Sequence, residues 1–222
     1  MLKALVKYSP PHKESQLPPY VSPLREAQAA QTRARILDAA VAEFGESGYG
    51  GTALPAIARR AGVSLETVKQ NGPKSALLLA AFDHAFSGSE GEGPLHDREL
   101  GSLVAPMDGE QLLAFQLEFV AEANARVARL WPRLIDAAGD PEVSRRLDEL
   151  QCNRRADMLN TIALYRVKGL CTSTRGDDEL AAALSFLISP ESYTQLVDDA
   201  GWSPVAYRDW LARAIRRLIL ED

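Results

Sequence analysis

Cysteine is nearly missing from this chain: Cys152 and Cys171 are the only two. Neither sits at metal-ligand spacing, and two such thiols suit a reducing, cytoplasmic setting. A redox-sensing pair is the alternative. His12, His84 and His96 share no motif with carboxylates, so no metal is assigned. No apolar run approaches the roughly 20 residues of a membrane span. The N-terminus has no continuous apolar stretch of signal-peptide type either, so a soluble, unsecreted protein with no membrane partner is expected. A phosphate-cradling glycine loop, a recognisable Ser/His/Asp arrangement and a paired-carboxylate motif are all wanting. That argues against an enzyme and implies no cofactor. Asp198-Asp199 reads most simply as a solvated helix end. Alternating β-patterns of useful length are absent too, which leaves an all-α chain.

What is present is enough for a core. Apolar residues make up 46% and charged residues 25% of the chain, ordinary globular values. A chain of this length buries roughly 70% of its unfolded surface, so it needs no disulfide or metal staple. The net charge of −5 is unevenly spread: residues 1–24 and 25–82 each carry +2, and residues 83–222 carry −9. A polyanion should therefore meet the N-terminal third.

Residues 1–24 hold Pro10, Pro11, Pro18, Pro19 and Pro23 among polar residues and read as a disordered arm. Lys3, Lys7 and Lys13 could touch DNA, or the arm could have no role. From Arg25, Ile36, Leu37, Ala40, Val41 and Phe44 mark one face of an amphipathic helix that Gly48 stops. Thr52 is placed to cap a second helix with Pro55 in its first turn. That helix ends at Gly62, Ser64 caps a third to about Asn71, and Lys74 opens a fourth bearing Leu78, Phe82 and Phe86. Residues 87–97 are the most loop-like interior stretch, and a domain boundary falls there or just before. Beyond it the spacing predicts helices over about 110–138, broken near Pro132, then 141–168, 177–188, 191–199 and 204–220.

The unit that carries chemistry is Ile57-Ala58-Arg59-Arg60-Ala61-Gly62-Val63-Ser64-Leu65-Glu66-Thr67-Val68. A helix-turn-helix needs a small residue at the helix crossing, which Ala58 supplies. It needs tolerance of positive φ four positions on, which Gly62 supplies. Val63 and Val68 provide buried aliphatics, and Ser64 can satisfy the first free amides of the second helix. A plain helical packing corner is the bland alternative.

The flanks weigh against it. Thr32-Arg33-Ala34-Arg35-Ile36-Leu37-Asp38-Ala39-Ala40, Phe44, Gly48-Tyr49, Thr52, the unit above, and Lys74 with Ala76-Leu77-Leu78 and Phe82 together resemble the TetR family of bacterial transcriptional regulators. Ser189-Pro190-Glu191, Gly201-Trp202-Ser203 and Tyr207-x-x-Trp210-Leu211 resemble one branch of it. The resemblance implies a three-helix helix-turn-helix DNA-binding domain (25–86, with its linking helix) joined to a larger helical ligand-binding and dimerisation domain (87–222). One departure stands out. Family members follow the Thr67 position with a Tyr and an aromatic cluster ending in Phe. Here Lys69, Gln70, Asn71 and Gly72 stand there, and the turn before Lys74 is one residue shorter.

The second helix of such a motif meets base edges in the major groove. That nominates Leu65, Glu66, Thr67, Gln70 and Asn71 as readers, by amide, carboxylate and apolar contacts to adenine, cytosine and thymine respectively. Ser64, Thr52 and Lys74 at helix starts, with Lys69, Arg33 and Arg35, are the candidate phosphate contacts. In the C-terminal part, Ser203 and Pro204 start a last helix, Trp202 can staple over Tyr207, and Tyr207, Trp210 or Leu211, Ala214 and Leu218 form a stripe. The stripe covers either the monomer's own core or, as the resemblance implies, a four-helix homodimer seam, for which Ala181-Ala182-Ala183 allows close approach. Phe115, Phe119, Trp131, Met158, Tyr165 and Phe186 are candidate lining for a small-molecule effector, an idea that comes from the resemblance; ordinary core is the alternative. The expected partners are an operator in double-stranded DNA, an unidentified small effector and a second copy of the chain, and the expected role is a ligand-responsive regulator, a repressor on a palindrome. A regulator acting through protein contacts without sequence-specific DNA binding is the second reading.

Overall fold

The computed structural model describes residues 23–88, 90, 93–97 and 99–222. Among these there is no strand, in agreement with the all-α expectation. The arm, with Lys3, Lys7, Lys13 and His12, lies outside the described residues, except that Pro23 and Leu24 already open the first helix.

Helix α1, Pro23–Gly51, turns sharply at Gly48, where φ is 69° and ψ 172°. Its buried face is Ile36, Leu37, Ala39, Ala40 and Phe44, the stripe read from the sequence. Helix α2, Leu54–Ala61, presents Ile57, Ala58 and Ala61 to it. The small side chain of Ala58 lets the helices approach. Gly62 then takes a left-handed conformation, φ 66°, while the Val63 amide donates back to the Ala58 carbonyl at 3.1 Å. A side chain at 62 would be strained there. Ser64 caps α3, Leu65–Gln70, by accepting from the Thr67 amide at 3.0 Å. Helix α4, Lys74–Ser87, closes the head by burying Leu77, Leu78, Ala81 and Phe82 against α1.

The cap expected at Thr52 is a correction. Ala53 occupies the cap position of α2. Thr52 instead folds back on α1, its hydroxyl donating to the carbonyls of Glu43 at 3.0 Å and Gly48 at 2.7 Å. The bend at Gly48 leaves those carbonyls open, and a buried hydroxyl satisfies them.

After α4 comes a 3₁₀ turn, Leu95–Asp97, and a short helix α5, Glu99–Val104, within and beyond the stretch expected as loop. A Cβ on Gly101 would stand 1.8 Å from the His96 carbonyl oxygen, so this corner closes only with glycine. Helix α6, Gly109–Val127, starts with a reciprocal Asp108–Gln111 capping box. The expected break at Pro132 comes earlier, because Pro132 sits in the first turn of α7, Trp131–Asp136, where its missing amide costs nothing. Asp140 caps the long α8, Pro141–Val167. Helices α9, Asp177–Leu187, α10, Pro190–Tyr193, and α11, Pro204–Ile215, complete the chain, the last two continuing in π-helical turns over Thr194–Asp199 and Arg216–Leu220.

Two apolar cores result. The first joins the head to the body, since Val127, Leu130, Leu134, Val143 and Leu147 belong to the cluster around Phe44 and Leu78. The second fills the body around Tyr165, Leu184, Tyr207 and Leu211. The α11 stripe therefore divides. Tyr207 and Leu211 are fully buried in the monomer's own core, Trp210 and Ala214 are half-buried, and Leu218 is 49% exposed. The staple also differs, for Trp202 meets Trp210 edge-on at 6.3 Å while Tyr207 packs on Tyr193 at 5.0 Å.

Candidate nucleic-acid interface and ligand cavity

The head offers one short exposed tip. On α3 only Val68 is buried; Leu65, at 37% exposure, Glu66, Lys69 and Gln70 face outward. Thr67 is half-buried and its hydroxyl shares a 2.8 Å hydrogen bond with Ser64. Asn71 is used differently from the base-reading role expected of it. Its side-chain amide donates to the Thr67 carbonyl at 2.7 Å, and its own carbonyl accepts from Arg33 at 2.7 Å. Arg33 also holds Glu90 in a two-point ion pair, at 2.9 and 2.7 Å. Arg35 donates to the carbonyls of Ala61, at 2.7 Å, and Gly62, at 3.1 Å, so it braces the turn of the motif.

Arg33, Arg35, Thr52 and Asn71 were expected on DNA. In the structure each bonds within the head: Thr52 is buried, Arg33 and Asn71 are half-buried, and Arg35 stays exposed while bonding the Ala61 and Gly62 carbonyls. The Arg33–Asn71 link ties the end of α3 to α1, among the positions where the resemblance leads one to expect an aromatic plug. Lys74 is near the head surface but leans over the Tyr49 ring, 4.6 Å from its centroid. The Tyr49 hydroxyl in turn donates to Asp140 at 3.0 Å. Burial, then the bond to Asp140, raises the Tyr49 pKa above the ordinary phenol value.

Below the head lies a cavity of ≈ 190 Å³ between α4, α5, α6 and α8. Phe115, Phe119, Trp131 and Met158 line it, as four of the six expected residues. Phe82 and Phe86 of α4 complete a run of rings: Phe82–Trp131 at 5.4 Å, Phe82–Phe86 at 5.9 Å, Phe86–Phe119 at 6.0 Å and Phe119–Phe115 at 6.1 Å. Tyr165 stands behind the wall, fully buried, its hydroxyl bonded to the lining residue Gln116. Phe186 is a correction. The inward face of α9 is Leu180, Ala181, Leu184 and Leu187, so residue 186 points away and is 72% exposed.

Polar lining was not read from the sequence. Asp157 accepts from the amides of Leu95, at 3.0 Å, and His96, at 2.9 Å, and from His96 Nδ1 at 2.7 Å, pinning the 3₁₀ turn over the cavity. Arg154 and Asp83 also line it. Arg146 donates to Asp83 at 2.8 Å, Arg126 to the Ala85 carbonyl at 2.6 Å, and Ser75 to Glu142. Helix α4 is thus both a wall of the cavity and the floor of the head.

Residues 36–68, which span the buried face of α1, all of α2 and the first turn of α3, match the model of bacterial regulatory proteins, tetR family. Over these residues the chain is similar to the DNA-binding region of that family. No curated protein matches the chain in sequence. Among solved structures, a proposed transcriptional regulator from Saccharomonospora viridis in complex with choline is 22% identical, with a TM-score of 0.64 over 87% of this chain and 100% of that one. A proposed TetR-family regulator from Rhodococcus sp. is 18% identical, with a TM-score of 0.64 over 86% and 99%. NalD, the secondary repressor of the MexAB-OprM multidrug efflux pump in Pseudomonas aeruginosa, is 20% identical, with a TM-score of 0.61 over 86% and 98%. These likenesses extend the TetR-like fold over the body, where the sequence resemblance was weakest.

On the outside of the TetR-like body, α9 and the α11 region leave Phe186, Val205, Trp202 and Leu218 exposed. Among the described residues, no helix is long and apolar enough to cross a membrane.

Proposed function

We propose that the chain is a transcriptional regulator, not an enzyme, which binds a palindromic DNA operator as a homodimer and responds to a small molecule in the cavity. The observation that carries this reading is the double use of α4. Its start follows the recognition helix after Gly72 and Pro73 and packs on α1 in the head, and Phe82, Asp83 and Phe86 near its end are cavity wall. A molecule between α4 and α8 would press on the helix that sets the position of the head. Only a ligand that binds the two arrangements unequally shifts their balance.

Leu65, Glu66, Thr67 and Gln70 are the base readers in this proposal, with Ser64, Lys69 and Lys74 toward phosphate. The exposed face of α9 and α11 meets a second copy. Repression is the expected output, as for NalD, and the choline held by the Saccharomonospora viridis protein supports a small-molecule site in this fold.

The test is selection of DNA from a random library by the full chain, followed by titration at several salt concentrations. Enrichment of an inverted repeat, with affinity falling steeply with salt, is expected. Failure to enrich any sequence would favour action through protein contacts.

A further inference from the structure

We propose that the effector is a small amphipathic anion, a hydrophobic carboxylic acid whose carboxylate binds Arg154 and whose body lies along the phenylalanine wall. This rests on the cavity being the effector site.

Arg154 reaches the cavity from α8 and is held by one neutral residue. Its Nε donates to the Ser185 hydroxyl at 2.7 Å and one Nη2 hydrogen to the Ser185 carbonyl at 2.6 Å. Among the described residues no carboxylate lies within ion-pair distance of it, and Nη1 has no acceptor. The acidic groups near the cavity are in the opposite condition. Both oxygens of Asp157 accept from the Leu95–His96 turn. Asp83 takes Arg146 at 2.8 Å, and Glu191 accepts from Trp131 Nε1 at 2.7 Å. Each of these carboxylates has an oxygen engaged, whereas Nη1 of Arg154 is an open charged donor at the cavity.

A half-buried cation with no ion-pair partner is partly desolvated, and an entering anion offsets that cost. Burial works against the charged form of Arg154 and lowers its pKa, with Glu191, Tyr207 and Asp157 partly opposing. A guanidinium nevertheless stays protonated in proteins, so the charge is permanent. Its plane is fixed by Ser185, and the open Nη1 edge suits a planar carboxylate.

The remaining wall is apolar. Phe86, Phe119 and Phe115 follow one another at 6.0 and 6.1 Å. A dry cavity of about 150 Å³ accommodates benzene, so ≈ 190 Å³ has room for a ring or a medium chain beside the carboxylate. A quaternary ammonium would find aromatic faces, but it would meet the Arg154 guanidinium in the same cavity, a like charge.

Octanoate, 1-octanol and octyltrimethylammonium share one chain and differ in the charge of the head. Calorimetric titration of the full chain should give octanoate at least tenfold tighter than the other two. Arg154→Gln should reduce octanoate to the level of octanol and leave octanol unchanged, while Arg154→Lys should keep part of the preference. Equal binding of the three, a preference for the ammonium, or no octanoate binding would overturn the proposal. Loss of octanol together with octanoate in both variants would make Arg154 a brace for Ser185 and would overturn it as well. Titrating the library-selected DNA with and without octanoate separates the two readings. Arg154-dependent binding that leaves DNA affinity unchanged sustains the anion site and removes effector control.

Discussion

Arg146 donates to Asp83 across 2.8 Å, with both side chains nearly buried, and this pair joins α4, which packs on α1 in the head, to the longest helix of the body. Burial opposes the charge on Arg146, but Asp83 and Glu149 outweigh it and its pKa is raised. The pair lies beside the aromatic wall, where an effector would disturb it. Replacing Arg146 by Met should cost about 3 kcal/mol in urea unfolding, because it removes the guanidinium that holds a mostly buried carboxylate. Asp83→Asn with Arg146→Met should recover part of that loss. Strictly additive losses would show that the two residues do not act as a pair.

The recognition tip should respond differently to its outward and inward residues. Lys69→Ala should reduce the log–log salt slope of DNA binding by about 1 and weaken all sequences alike. Arg33→Ala should leave the slope intact yet weaken binding, since it frees the end of α3 from Asn71. If Arg33→Ala changes the slope by as much as Lys69→Ala does, Arg33 leaves Asn71 for phosphate in the complex.

These two residues also show what a sequence can reveal. The Ser64 cap and the Gly62 turn are local, settled by hydrogen bonds within a few residues, and both were legible. The partners of Arg33 lie 38 and 57 positions away, and no local pattern announces them. Thr52 was misread because serine and threonine caps and back-bonds to a preceding carbonyl draw on the same residue types. Only the bend at Gly48 decides between them. The aromatic wall was legible as composition, four residues of six. Phe186 failed because the phase of α9 is fixed by which face meets α8. Arg154 and Asp157 carried no sequence signal, since burial of a charged residue on a long polar helix is a tertiary fact.

The head core can be tested by Phe44→Ala. The ring is fully buried and packs on Tyr49 at 6.2 Å, which itself anchors Lys74 and Asp140. Truncation should cost about 3–5 kcal/mol, and more than Leu65→Ala, which removes a half-exposed side chain. Equal melting temperatures for the two variants would mean that the head contributes little to the cooperative unit.

Assembly is best probed at Phe186 rather than at Trp210. Trp210 packs on Tyr207 at 6.2 Å, so changing it disturbs the monomer's core and confuses misfolding with dissociation. Phe186 touches little of its own chain, being 72% exposed on α9 beside the exposed Ala182. An aromatic ring left in water on a face with small neighbours has the character of an interface anchor. Phe186→Glu places a charge at the centre of the proposed seam, where it would be desolvated without a partner, while leaving the folded monomer intact. Circular dichroism and melting of the isolated chain should be nearly unchanged. Sedimentation should move from dimer to monomer, and DNA affinity should drop by tenfold or more because each head then holds only a half-site. A dimer that persists in this variant would place the seam on another face, and the exposed Val205 and Leu218 of the α11 region would be the next positions to charge.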